Sequence, residues 1–137
     1  ISPAYVELEI TETAVMTNPK SAAEKIALLH QEGLRIVLDD FGTGYSSLHY
    51  LKNVPIDKLK IDQSFVKGCL EDPKDMAIVK TIVNMASVFD MEVQAEGIET
   101  QEHLGALQGV GCAVGQGYWF AKPMALEAFI AYVKDKA

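Results

Sequence analysis

Carboxylates recur at the ends of short apolar-alternating segments, and their spacing is the first sign of chemistry in this sequence. Glu9 closes a run in which Val6, Leu8 and Ile10 alternate with Glu7 and Glu9. Asp39-Asp40 ends the apolar stretch that begins at Leu34. Lys60 and Asp62 alternate with Leu59 and Ile61, Glu96 follows Val93 and Ala95, and Gln116 lies in a fifth such segment. If these segments are parallel strands of one sheet, their polar parity delivers Glu9, Asp39, Lys60, Asp62, Glu96 and Gln116 to one mouth at the carboxyl ends. Four or five carboxylates gathered there repel one another, and one or two divalent cations are the natural relief. His30, His49 and His103 have no paired spacing and neither cysteine joins the set, which disfavours zinc with nitrogen or sulfur ligands. Oxygen donors favour Mg²⁺ or Mn²⁺. Adjacent acids such as Asp39-Asp40 can bridge two ions, an arrangement suited to phosphodiester hydrolysis, with Lys60 neutralising charge on phosphate or orienting the nucleophile.

The elements that must position these residues alternate in type. Strands are expected from the alternation around Val6–Ile10, over Leu34–Asp40, Lys58–Asp62, Glu92–Ile98 and Ala113–Phe120. Helices are expected between them: from the Asn18-Pro19 cap to Gly33, a short one over Ser46–Leu51, the longest from Asp72-Pro73 to near Asp90, then Thr100–Gln108 and Leu126–Lys136. Strand starts near 5, 35, 58, 92 and 113 give a unit of about 27 residues, against eight units in about 250 residues for a full (β/α) barrel. Strands separated by helices form parallel sheets with right-handed crossovers, which leaves a five-stranded open sheet or the later part of a barrel. No linker-like or low-complexity tract interrupts residues 1–137, so one domain is expected.

The chain has 137 residues, 49% hydrophobic, with 12 Lys and Arg against 19 Asp and Glu for a net charge of −7. That balance disfavours DNA or RNA polymers and anionic lipid as partners. No apolar run approaches a membrane span and the start lacks signal-peptide character, so a cytoplasmic setting is expected. Cys69 and Cys112 read as reduced packing residues. Asp40-Phe41-Gly42 copies a kinase metal-binding tripeptide, but no glycine-rich loop, lysine strand or catalytic loop accompanies it. Gly109, Gly111 and Gly115 follow a helix rather than lead into one, which disfavours a dinucleotide site. The segment Gly42-Thr43-Gly44-Tyr45-Ser46-Ser47, directly after the acid pair, suits a mobile loop over metal and substrate.

Five strings in order resemble the successive motifs of EAL domains, the cyclic-di-GMP phosphodiesterases of bacterial signalling. They are Glu7-Leu8-Glu9-Ile10-Thr11-Glu12-Thr13, Leu38-Asp39-Asp40-Phe41-Gly42-Thr43-Gly44-Tyr45-Ser46-Ser47-Leu48, Leu59-Lys60-Ile61-Asp62, Ala95-Glu96-Gly97-Ile98-Glu99-Thr100 and Gln116-Gly117-Tyr118-Trp119-Phe120. The resemblance implies a TIM-like barrel, present here as about five βα units. It implies metal ligands at Glu9, Asp39 and, in two-metal forms, Asp40, with Glu96 as general base or metal ligand. Lys60 matches the lysine near the attacking water, Gln116 a glutamine near the metal water, and Glu99 a second glutamate of the Glu96 loop. Glu12 matches the residue bracing the loop that carries Gly42, Thr43 and Gly44, and Asp62 the acid beside the lysine. The implied reaction opens cyclic di-GMP to linear pGpG with Mg²⁺ or Mn²⁺, one or two ions.

The family's Glu-Ala-Leu signature, a substrate arginine and an asparagine ligand fall on strands expected ahead of Ile1. Taken alone, these residues are therefore expected to hydrolyse poorly and to associate as a homodimer, in a parent with room for regulatory or GGDEF-type domains. A non-catalytic domain binding the dinucleotide or a protein is the alternative. A different Mg²⁺-dependent barrel enzyme satisfies the spacing but not the strings.

Overall fold

The computed structural model describes residues 2–44 and 48–136. After a 3-10 turn at Pro3–Tyr5 the order is β1 (Glu7–Thr11), α1 (Glu12–Thr17), α2 (Pro19–Gln31), β2 (Arg35–Phe41), α3 (Leu48–Leu51), β3 (Lys58–Ile61) and α4 (Gln63–Gly68). It continues with α5 (Pro73–Val88), β4 (Glu92–Ala95), α6 (Gln101–Gly109), β5 (Val114–Gly115) and α7 (Leu126–Lys136). All neighbouring strands pair in parallel, and their order in the sheet is β1-β2-β3-β4-β5.

That order decides between the two architectures. A doubly wound sheet reverses direction partway, so that its helices cover both faces. Here the strand order never reverses, and crossovers of one hand carry every connecting helix to the same face. The result is an incomplete (β/α) barrel of five units, as the motif resemblance implied. Ile36, Leu38, Leu59, Ile61, Val93 and Ala95 pack with Val79, Ile82, Val83 and Ala86 of α5 in the buried core. Full burial of side chains such as Leu59 and Ile61 contributes about 1.5–3 kcal/mol each.

The helices begin where their caps are written. Asn18 accepts from Ser21 N, Asp72 from Lys74 N and Thr100 from His103 N, with proline opening α2 and α5. Gly33, at φ 87°, closes α2 in the left-handed region.

Four expectations need correction. Helices α1 and α4 lie outside the expected elements: Thr11 ends β1 and caps α1 by accepting from Ala14 N, and Asp62, expected as the last residue of the third strand, instead caps α4 by accepting from Ser64 N. The short helix expected from Ser46 runs over Leu48–Leu51, with 46 and 47 outside the described residues. β4 ends at Ala95 rather than Ile98, because Gly97 at φ 71° turns the chain. β5 is two residues instead of Ala113–Phe120. Beyond it the chain wraps Ile98, whose N–H donates to Gln116 O and whose carbonyl accepts from Trp119 N.

Candidate active site

Strand register sorts the polar face into two tiers. Glu7 pairs with Arg35, Lys58 with Glu92, and each is followed two residues later, on the same face, by a candidate residue or its neighbour. The upper tier centres on Lys60. Its Nζ lies 2.5 Å from Glu96, 3.0 Å from Glu9 and 3.6 Å from Asp39, so one ammonium joins the carboxyl ends of β1, β2 and β4. Lys60 is only 4% exposed. Burial opposes its charge, but hydrogen bonds to Glu96 and Glu9 outweigh that penalty and hold its pKa above the ordinary lysine value. The carboxylates expected to confront one another instead share a cation supplied by the chain.

Asp40 stands apart. The register of β2 against β3 shifts between Leu38 and Phe41, and Asp40 adopts φ 54° at that irregularity. Its N–H donates to Asp39 Oδ1 at 2.9 Å. Burial pushes its carboxyl pKa up, and the charges of Asp39 and Asp62 push it further. Asp62 accepts from Ser64 N at 2.9 Å and from the Ser64 hydroxyl, which ties it to the start of α4.

The loop after Asp40 folds on itself and on Glu12. Thr43 donates from N (3.3 Å) and from Oγ1 (2.8 Å) to Asp40 O. Glu12, the first residue of α1 and 2% exposed, accepts from Gly42 N at 3.1 Å. A Cβ at Gly44 would stand 3.1 Å from Glu12 Oε1, so the loop lies close against that carboxylate. The remainder of the expected mobile loop, Tyr45 to Ser47, lies outside the described residues.

Beside this cluster a cleft of about 290 Å³ is lined by Gln63, Lys67, Glu96, Gly97, Glu99, Gln116, Gly117 and Tyr118. Glu96 therefore belongs both to the lysine cluster and to the cleft. Glu99 sits on the cleft and pairs with Lys67 at 3.2 Å rather than with Lys60. Gln116 Oε1 accepts from Gln94 Nε2 at 2.8 Å.

The lower tier was not recognised from the sequence as a unit. Lys58 donates to Glu7 at 2.9 and 3.0 Å and to Gln94 Oε1 at 3.3 Å, and pairs with Glu92 at 3.0 Å. Arg35 bridges Glu7 and Glu92 at 3.0 and 3.7 Å. The available signal was parity: Glu7, Lys58 and Gln94 each precede a candidate residue by two positions. Cys69 and Cys112 are buried free thiols whose pKa values burial pushes up, and they take no part in the site. His30 pairs with Asp57 at 3.4 Å, outside it as well.

Among the described residues no three His, Cys, Asp or Glu side chains stand together as a metal cage. Lys60 occupies the space between Glu9, Asp39 and Glu96. The donor chemistry nevertheless fits a hard divalent cation at Asp39 and Asp40. Both donors are oxygens, and the Asp40 carboxylate is crowded by like charge that a cation would offset. Mg²⁺ is commonly held by one or two carboxylates, with water and phosphate oxygens completing its shell.

The sequence profile of the EAL domain matches residues 1–123. The cyclic di-GMP phosphodiesterase NbdA of Pseudomonas aeruginosa is 40% identical over all of this chain and 18% of its own length. RocR of the same organism, also a cyclic di-GMP phosphodiesterase, is 36% identical over 96% of this chain and 34% of its own length. The PaMucR phosphodiesterase in its c-di-GMP complex superposes with a TM-score of 0.92 at 37% identity, over 94% of this chain and 52% of that one. BlrP1 of Klebsiella pneumoniae, solved as a manganese and cyclic di-GMP complex, gives 0.83 at 35% identity over 90% of this chain and 31% of that one. The chain thus spans about half, or less, of each of these four proteins. With motifs, strand order and superposition in agreement, the chain belongs to the EAL domain family.

Proposed function

We propose that the protein carrying this chain is a divalent-metal-dependent phosphodiesterase that hydrolyses cyclic di-GMP to linear pGpG. The observation that carries the reading is the Lys60 ammonium, buried and hydrogen-bonded to carboxylates from separate strands, at the carboxyl ends where such sheets hold substrate. In the reaction an O–P bond forms from water and one P–O bond to a ribose oxygen breaks, with a proton leaving the water and one reaching the departing oxygen. Lys60, fixed by Glu9 and Glu96, offers localised positive charge to the phosphate as negative charge grows on it. Glu96, shared between the lysine and the cleft, accepts hydrogen bonds from the attacking water and orients it. Glu12 holds the Gly42–Gly44 loop over the acids, Gln116 and Glu99 line the substrate cleft, and Asp62 supports Asp40 from the start of α4. Asp39 and Asp40, with Glu9 and Glu96 as further oxygen donors, would hold Mg²⁺ or Mn²⁺, which would supply Lewis-acid activation of water and phosphate. Calcium and manganese complexes of BlrP1 support a divalent ion without choosing between these two metals.

The setting we infer is cytoplasmic. No described helix is long and apolar enough to cross a membrane, and the two described cysteines are free. A regulatory partner of GGDEF type in the same protein is supported by MucR, a bifunctional diguanylate cyclase and phosphodiesterase. Self-association of these 137 residues is supported by the unpaired edges of β1 and β5 and by the exposed Leu126, Phe129, Ile130 and Val133 of α7. Light scattering reads it.

The test of the function is pGpG formation by the protein as encoded, in Mn²⁺, with and without Lys60→Ala. Loss of the lysine lowers kcat on the order of 10²-fold while KM holds, since the charge acts mainly in the transition state. A weakened KM at unchanged kcat makes Lys60 a ground-state phosphate clamp. Binding of cyclic di-GMP without hydrolysis by the unmutated protein overturns the catalytic reading.

A further inference from the structure

Lys58 has no place in the chemistry just described, yet it is 6% exposed and reaches Gln94, which is 9% exposed and in turn reaches Gln116. The three form a directional chain. An ammonium only donates, so the end of the Gln94 amide that faces Lys58 Nζ must be its oxygen, at 3.3 Å. Gln94 is then obliged to present its nitrogen to Gln116, which must answer with Oε1, at 2.8 Å. Reversing either amide would set donor against donor or acceptor against acceptor in a part-buried pair, at the cost of an unmade hydrogen bond. Lys58 is itself immobilised by Glu7 and Glu92, so the direction of the chain is anchored in the lower tier. With its oxygen committed, Gln116 has its nitrogen left for the cleft it lines with Glu96 and Glu99.

We propose that Gln94 is a positioning residue: through Gln116 it fixes the polarity of the cleft wall, so that an N–H donor rather than a carbonyl meets the substrate. A phosphate oxygen, which only accepts, is the matching chemistry. This rests on the phosphodiesterase reading above, and it adds a residue that neither charge nor strand-end position singles out.

Two substitutions separate positioning from packing. Gln94→Leu removes both ends of the relay. Gln94→Glu keeps the volume and the acceptor for Lys58, but it offers Gln116 an oxygen, so the Gln116 amide turns and its carbonyl faces the cleft. Each variant is assayed for pGpG in the protein as encoded, alone and combined with Gln116→Ala. Both single variants lower kcat about 10-fold, as is common for residues supporting a site from behind, with the unfolding midpoint of Gln94→Glu retained. In the Gln116→Ala background neither substitution lowers kcat further, because the group through which Gln94 acts is gone. Unchanged kcat in Gln94→Glu, or an equal loss in both backgrounds, overturns the proposal. Absence of pGpG from the unmutated protein is a different failure and overturns the reading on which the proposal rests.

Discussion

Asp40 allows charge to be separated from backbone conformation. It lies at φ 54°, a region in which Asn and Asp are tolerated far better than residues without a short polar side chain. Asp40→Asn therefore preserves the turn and the packing and removes only the charge, which Asp39 and Asp62 make unfavourable. In the absence of divalent ions this variant is expected to be more stable than the unmutated protein by about 0.5 kcal/mol, the scale of partly exposed charge interactions. Asp40→Ala removes the same charge but places a residue with no local hydrogen-bonding group in the left-handed region, at about 1–2 kcal/mol. Its net expectation is a loss of about 1 kcal/mol on the same basis. Divalent ions reverse the ranking. At a concentration 100 times its dissociation constant a bound ion stabilises by about 2.7 kcal/mol, and both variants forfeit most of that if Asp40 is a ligand. Urea denaturation in chelator and in saturating Mn²⁺ measures all of these terms. The reasoning fails if Asp40→Asn is destabilised in chelator as much as Asp40→Ala, or if Mn²⁺ stabilises Asp40→Asn as strongly as the unmutated protein.

A Cβ at Gly117 would run into the main chain of Ile98, reaching 2.7 Å from its carbonyl carbon, so Gly117→Ala is expected to cost about 1–3 kcal/mol in urea melts and to reduce hydrolysis. Gly105, inside α6 with nothing within 4 Å, is the control: Gly105→Ala stabilises by about 0.5–1 kcal/mol. Lys58→Met leaves Glu7 and Glu92 without their buried partner and costs about 2 kcal/mol, discounted from buried-pair values because both acids are about a third exposed. Because the folded pKa of Lys58 is raised, its contribution is complete below the ordinary value of 10.5 and is lost as pH rises through the higher folded value. Melts at pH 7 and 9 should show the same deficit and melts above 11 a smaller one, whereas a constant deficit removes charge from the explanation. Iodoacetamide at pH 8 is expected to leave Cys69 and Cys112 unmodified in the folded protein and to label both in denaturant, since burial raises both thiols. Labelling of either cysteine at equal rates in both states contradicts its burial.

Periodicity and caps carried most of the architecture, because they are local. Asn18-Pro19, Asp72-Pro73 and Thr100 state where helices begin without reference to the rest of the fold. Asp62 departs from its expected strand for the same reason: it continues the alternating run of Lys58–Ile61, and only the bond from Ser64 N shows that a helix has begun. The premature end of the fifth strand depends on Gly117 meeting the Ile98 main chain, 19 residues away, and no local pattern encodes it. Parity placed Glu9, Lys60 and Glu96 on one face, but parity does not say which group stands between which. Register does, and it sets the ammonium among the acids where charge counting had set the acids against one another. Gln94 was invisible as anything but a polar strand residue, since its relation to Gln116 exists only once β4 and β5 are adjacent.

The unreversed strand order also bears on how the chain acquires its shape. Glu7 meets Arg35, Val37 meets Lys58, Lys58 meets Glu92 and Gln94 meets Val114, so every strand joins the one most recently made, across separations of 20 to 34 residues. Loop-closure entropy varies only with the logarithm of such lengths, and each closure therefore costs nearly the same. No strand has to wait for a distant segment before it can pair. As the chain emerges during synthesis, β2 can dock on β1 before β4 exists, and the sheet can lengthen by nearest-neighbour addition in the manner of a solenoid. In that sequence of events Lys58 and Lys60 arrive on the third strand, after Glu7 and Glu9 and before Glu92 and Glu96. Each nascent row of acids is thus neutralised before the next is laid beside it.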